Sequence, residues 1–234
     1  MATTPKTKRA IVRKIPGQGV IYSDGSFRVD NLRASYPWVG EPQEGTNDKG
    51  EKTSTFSCGG FAPKDTHKDI YKAIADHCNA MIKERDAKVK IPSSKRFYRN
   101  GDAVDEVGER VFAEEFEGCY VWSARSRDRP QVRGPQRDPD TGKAQRLNPA
   151  EAKRLIYGGC YINMMFKPWV YISKNKEYPN RLSCELEAVQ YRKKGERLGS
   201  ARVSEEDIDE GLDTYDEDDD GGWGDGDDDD GEDL

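Results

Sequence analysis

Charge is divided unevenly along this chain. Residues 204–234 hold eighteen Asp or Glu and no Lys or Arg. A stretch so charged and so poor in apolar side chains cannot bury enough surface to offset the entropy of folding. Folding is therefore confined to what precedes it. Of 44 acidic and 38 basic residues, 26 acids and every base fall in positions 1–203. The body is thus about +12 and the tail about −18, although the whole chain is only −6. Such asymmetry points to a basic binder of a polyanion that carries its own competing polyanion.

The length fits one domain and a tail. The expected organisation is a flexible N-terminus at 1–7, one domain at 8–200 and a disordered acidic tail at 201–234. No apolar run approaches the length of a membrane span, and no apolar stretch follows the N-terminus, so neither membrane insertion nor secretion is expected. Five widely spaced cysteines, an odd number, suit reduced thiols better than a disulfide framework.

Alternation and turn residues predict a mainly β body. Strands are expected at Arg9–Ile15, at Ser26–Tyr36 (Leu32, Ala34 and Tyr36 on one side), at Lys52–Phe61, at Glu117–Arg127 and at Leu182–Tyr191. Pro37–Glu51 reads as a polar loop. Gly158–Ser173 reads as a bent strand, with Pro168 marking an edge or a bulge. One main helix is predicted over Thr66 to about Lys88. Ile70, Ile74, Cys78 and Met81 form its apolar stripe, and Thr66 with Asp69 resembles a capping box. A shorter helix is predicted from Pro149, capped by Asn148. Strands, helix, strands without βαβ alternation suit a small antiparallel barrel with the helix after its third main strand. That is an OB-fold with long loop insertions.

Little supports an enzyme. His67 and His77 lie ten apart on the predicted helix, about 80° from eclipsed, so they are not an i, i+4 metal pair. A zinc site from Cys58, His67, His77 and Cys78 would need unusual spacing. Asp216, Asp218, Asp220 and Gly221 mimic the start of a calcium loop, but position twelve is Asp227 and the flanks cannot form helices. No nucleotide-binding or hydrolase motif is present. No cofactor is expected.

Basic and aromatic residues interleave in three places. Arg125, Arg127, Arg129, Arg133 and Arg137 crowd thirteen residues and follow Tyr120 and Trp122 directly. Strand alternation puts Arg125 and Arg127 opposite Tyr120 and Trp122 unless a bulge re-aims them. The second cluster is Lys95, Arg96, Phe97, Tyr98 and Arg99. The third contains Tyr157, Tyr161, Phe166, Lys167, Trp169 and Tyr171. Cations track phosphates, and exposed aromatic faces stack bases for roughly 1–3 kcal/mol each without sequence preference. In a barrel about half of the strand aromatics face the core instead.

The segment from Leu155 to Ser200 carries a resemblance. Tyr157, Gly159, Cys160 and Tyr161, then Leu186, Val189, Gln190 and Arg192, then Gly195 to Gly199, match motifs of a family of phage-encoded single-stranded DNA-binding proteins. The stretches "RVDNLRASYP", "KIPSSKRFYRNGD" and "GCYVWSARS" extend the similarity over roughly residues 26–200. The resemblance implies an OB-fold, sequence-tolerant binding of single-stranded DNA (ssDNA) and a role in phage DNA replication or recombination. The expected partners are ssDNA and, more weakly, duplex DNA, and the expected location is the cytoplasm of an infected bacterial host. The acidic tail resembles those that dock replication or recombination proteins, with Trp223, Asp233 and Leu234 as its candidate docking residues. The competing expectation is an acidic-tailed protein-binding module, a DNA mimic or chaperone for a basic partner. It leaves the basic, aromatic body unexplained.

Overall fold

Side-chain alternation lays down the strands, and two breaks in it shape the barrel. The computed structural model describes residues 9–46, 50–173 and 178–198. All of them belong to one unit, Met1–Gly199. A hairpin of β1 (Ile11–Ile15) and β2 (Gly19–Tyr22) leads into β3 (Phe27–Thr46) and β4 (Lys52–Pro63). Helix α1 (Lys64–Arg85), β5 (Tyr98–Asn100) and β6 (Cys119–Ser126) follow. Next come a β7 (Gln131–Arg137) and β8 (Ala144–Arg146) hairpin, α2 (Pro149–Leu155), β9 (Tyr161–Tyr171) and β10 (Arg181–Lys193).

Five strands close on themselves in the order β3–β4–β6–β10–β9–β3, antiparallel throughout except for the β6–β10 pair. This is the partly open Greek-key barrel of the OB-fold. The main helix does follow the third strand expected from sequence. The first of those strands, however, lies outside the barrel as the added β1–β2 hairpin, so α1 follows the second barrel strand.

The barrel interior is filled by Phe27, Val29 and Leu32 of β3, Trp122 and Ala124 of β6, and Ile162, Met164 and Phe166 of β9. Helix α1 closes one side with Ile70, Ile74, Cys78 and Ile82, while Met81 is only half-buried. Each such buried side chain contributes roughly 1.5–3 kcal/mol. The Thr66–Asp69 capping box does not form. Thr66 Oγ1 donates to the Pro63 carbonyl, and the helix kinks at His67. The Gln18 side chain, reaching from the β1–β2 turn, instead accepts from the N–H groups of Asp69 and Ile70 at 3.1 and 2.9 Å. Helix α2 forms the full capping box, Asn148 with Glu151, behind Pro149.

Pro37–Glu51 is not a loop. β3 runs on to Thr46, and β4 begins at Lys52. The alternation Leu32, Ala34, Tyr36 also breaks. Tyr36 adopts φ 45° where the β3–β4 register shifts between Ser35 and Trp38. Ser35 takes the buried position, and Tyr36 is turned outward, 74% exposed. A bulky residue in this left-handed conformation costs on the order of 1 kcal/mol, a strain typical of functional surfaces. Gly59 lies opposite, where any Cβ would sit 2.3 Å from Ser35 Oγ. Pro168 fits as an edge residue: β9 pairs β3 only as far as Phe166 and pairs β10 beyond it. Among the described residues no helix is long and apolar enough to cross a membrane.

Candidate nucleic-acid interface

The barrel has a seam. Among the described residues β6 and β10 pair in register only at Arg125 and Glu185, beside the Cys184 thiol that donates to the Ser123 carbonyl at 3.3 Å. The segment around β5 fills the gap, with Tyr98 paired to Trp122 on one side and Arg96 bridged to Leu182 on the other. Phe97 N–H donates to the Leu182 carbonyl at 3.0 Å, and Ser123 N–H donates to the Phe97 carbonyl at 2.8 Å. Plugging the seam draws Phe97 and Tyr98 into the core, where Phe97 lies edge-on to Phe166 at 5.3 Å.

Over this seam lies an open groove of about 840 Å³. Its walls bring together residues distant in sequence: Lys95, Arg96 and Arg99 from the seam segment, Arg125 and Arg127 from β6, and Trp169 and Arg181 from β9 and β10. Asp128 and Glu185 are the only acids lining it among the described residues. None of these six cations forms an ion pair with a carboxylate among the described residues. Arg181 lies over the rings of Trp169 and Tyr171, at 5.8 and 4.9 Å. Partial burial, and after it the neighbouring Arg125, lower the pKa of Arg99. A cation pressed by another cation in a half-buried site is stabilised by an incoming anion.

A second hollow of about 480 Å³ shares Arg99, Ser123 and Arg125 with the first, so the two adjoin along one face. It adds Tyr36, Trp38 and Phe112. Trp38 is 42% exposed, and Arg99 lies over Phe112 at 4.5 Å. Phe116 and Val121 line its floor, packed with Phe61 and Cys119 in a small apolar cluster on the outer face of β6. Leu198, the last described residue, packs against the same cluster. Its approach is pinned by the Tyr157 hydroxyl, which donates to the Gly195 carbonyl at 2.9 Å and accepts from its N–H at 3.2 Å.

The residues expected from sequence divide sharply. Lys95, Arg96, Arg99, Arg125, Arg127 and Trp169 line the groove, and Tyr171 joins through Arg181. Phe97, Tyr98, Trp122 and Phe166 are interior, so their reading as base-stacking faces is corrected. The unbroken β4–β6 register is the cause for Trp122: without a bulge, alternation turns it inward as it turns Arg125 outward. Tyr120 is covered by Tyr71, stacked at 3.7 Å. Arg129 and Arg133 lie outside the groove, their guanidiniums bonded to the carbonyls of Leu147 and Ala144. Tyr161 faces Lys193, whose ammonium is 4.4 Å from its ring centre, and Lys167 lies 3.9 Å from Asp24. Neither lines the groove. Trp223, Asp233 and Leu234 lie outside the described residues. Sequence reasoning missed Arg181, Trp38, Tyr36 and Phe112. Only the bulge and the seam, both long-range pairings, bring them to one surface.

Among the described residues no cluster of His, Cys, Asp and Glu could hold a metal ion. All five cysteines are free and buried, and burial pushes the Cys78 thiol up to about 12. His67 Nε2 lies 2.8 Å from the Asp30 carbonyl. A carbonyl can only accept, so this nitrogen carries the proton, and burial lowers the pKa of the ring.

The model of the Enterobacter phage Enc34 ssDNA-binding protein family matches residues 26–221. The chain belongs to this family. Its fold is similar to the ssDNA-binding protein of bacteriophage Enc34 solved in complex with ssDNA, with a TM-score of 0.68 and 32% identity over 82% of this chain and 99% of that one. The same Enc34 protein, in a second structure, gives a TM-score of 0.68 at 30% identity over 86% and 99% of the two chains. A C-terminally truncated form gives 0.67 at 30% over 82% and 98%. No curated protein matches the chain.

Proposed function

We propose that this protein coats ssDNA without sequence preference, seating the strand in the groove over the β6–β10 seam. The observation that carries this reading is the convergence of six cations without carboxylate partners on one groove that also holds exposed aromatic faces. Lys95, Arg99, Arg125 and Arg127 take phosphates. Trp169, Tyr171, Trp38 and Tyr36 offer ring faces to unpaired bases. Paired bases have no free faces to offer, so duplex DNA binds more weakly, through phosphates alone. Such a protein has no catalytic step to perform. It serves phage DNA replication or recombination in the cytoplasm of the host.

The acidic tail competes with DNA for the same cations and recruits replication or recombination proteins when DNA displaces it. Two facts support the competition: the charge of residues 204–234, and the position of Leu198 on the apolar cluster at the Trp38 end of the groove. Thirty-one residues can span about 30 Å, enough to reach across a body of this size. The test is a salt series of oligo-dT binding, read by tryptophan quenching, for the full chain and for a chain ending at residue 203. The shortened protein binds more tightly and with a steeper salt dependence, because DNA then displaces ions and not a tail. No quenching by either protein overturns the groove, and equal affinity of the two overturns the competition.

A further inference from the structure

Among the described residues, two exposed apolar patches of opposite charge stand beside the groove, one of them meeting its lining at Val111. The first is the edge strand β1. It ends the sheet, pairs only with β2 among the described residues, and exposes all but its last side chain. Ile11 and Val12 are 50% and 67% exposed, beside Arg13 and Lys14, which have no acidic partner among the described residues. The second is the loop between β5 and β6. Val104, Val107 and Val111 stand out of it, Val107 at 80% exposure. It is an ordered loop: Val104 bridges Arg110, and Asp105 Oδ1 accepts from the N–H groups of Val107 and Glu109. Glu106 and Glu109 point from it without a cationic partner among the described residues.

The patches flank different ends of the groove. Just before β1, Arg9 pairs with Asp24 and Glu187, and Asp24 also faces Lys167. Lys167 pairs in register with Glu185, which lines the groove. Val111 and Phe112 lie at the other end, where the groove passes Arg99 toward Trp38. Opposite charge on the two patches suits a contact between unlike surfaces of two copies.

We propose that the occupant of each patch is a second copy of this chain: the basic, apolar β1 edge of one molecule docks on the acidic, apolar 102–111 loop of the next. The contact joins unlike surfaces. It does not close on itself, and it propagates along DNA as an open array. An exposed sheet edge and an apolar loop in a chain otherwise so polar are what such a contact needs covered. A symmetric β1–β1 pairing is disfavoured because it sets Arg13 and Lys14 against their own copies.

The proposal rests on the ssDNA-binding reading, and the test separates the two. Binding is measured on oligo-dT of about one site, roughly 10–16 nucleotides, and on a strand of several sites. Two charge-reversed proteins are compared with the parent, one with Arg13→Glu and Lys14→Glu, the other with Glu106→Lys and Glu109→Lys. Each keeps its short-strand affinity and loses about tenfold in neighbour-to-neighbour cooperativity on the long strand, equivalent to about 1.4 kcal/mol per contact. An equimolar mixture of the two restores it, because alternating copies again place acids against bases. Parent-like cooperativity in either protein alone, or a mixture no more cooperative than its components, overturns the docking. Loss of short-strand binding by the parent itself would overturn the groove reading instead.

Discussion

Two arginine-rich regions adjoin in this molecule and do different work. Around the seam, Arg99, Arg125, Arg127 and Arg181 converge on open space, and two of them, Arg99 and Arg181, lie over aromatic rings. In and just before the β7–β8 hairpin, Arg129, Arg133 and Arg137 reach the chain's own carbonyls, at Leu147, Ala144 and Gly142. A guanidinium already bonded to backbone has fewer of its five donors left for a phosphate. Density of positive charge in the sequence is therefore a poor guide to which cations the fold leaves open. What decides is whether the fold has already used the donors.

The two tryptophans of the same neighbourhood give the hardest test of this contrast. Trp122, wholly interior, holds the fold, and Trp169, 41% exposed, faces the groove. Trp122→Ala costs about 3–5 kcal/mol of stability, measured by urea unfolding. Trp169→Ala leaves the urea midpoint unchanged and weakens oligo-dT binding by about 1–3 kcal/mol. If Trp169→Ala binds like the parent, the groove is misplaced. Next in size is the pair Arg125→Ala with Arg127→Ala. Two charge-assisted contacts at roughly 1.5 kcal/mol each give about a hundredfold loss of affinity. The salt slope should fall by about 1.4, at roughly 0.7 per phosphate on a single strand. An unchanged slope would show that these arginines touch no phosphate.

Arg133→Ala is the tethered counterpart. Its expected effect is about 1 kcal/mol of stability, from the lost bonds to Ala144 and Gln131. Its ssDNA affinity should stay within about 0.5 kcal/mol of the parent. A large loss of affinity would erase the distinction between the two regions. His67 gives the smallest effect, another group held by a backbone carbonyl. Its pKa is lowered by burial, so the unfolded chain takes up the proton first as pH falls. The stability contributed by the neutral ring is complete above the ordinary value of 6.5 and declines as pH drops through and below it. Urea midpoints at about pH 7.5 and pH 5.5 should show that fall, and His67→Gln should flatten it.

The legible parts of the fold were those written in local sequence. Asn148, Pro149 and Glu151 announce α2, alternation from Cys119 to Arg127 announces both faces of β6, and Pro168 announces an edge. Features made by distant pairing were not legible. Nothing near Phe97 and Tyr98 says that they plug a gap between β6 and β10, so "KRFYR" reads as a surface cluster although its two rings are core. Nothing near Tyr36 says that a register shift against Gly59 turns it out. The site was half-readable for the same reason: its cations lie in recognisable clusters, while its ring faces depend on bulges and seams.

The seam has a consequence for how occupancy and folding are linked. The floor of the groove is built from the N–H groups of Phe97 and Ser123, which close the barrel by bonding Leu182 and Phe97. Amides of this kind exchange with solvent only when the wall opens locally. A ligand lying across the groove favours the closed wall by mass action. These two amides are thus native reporters, slowing their exchange with each increment of bound strand while amides on the far side of the barrel keep their free-protein rates.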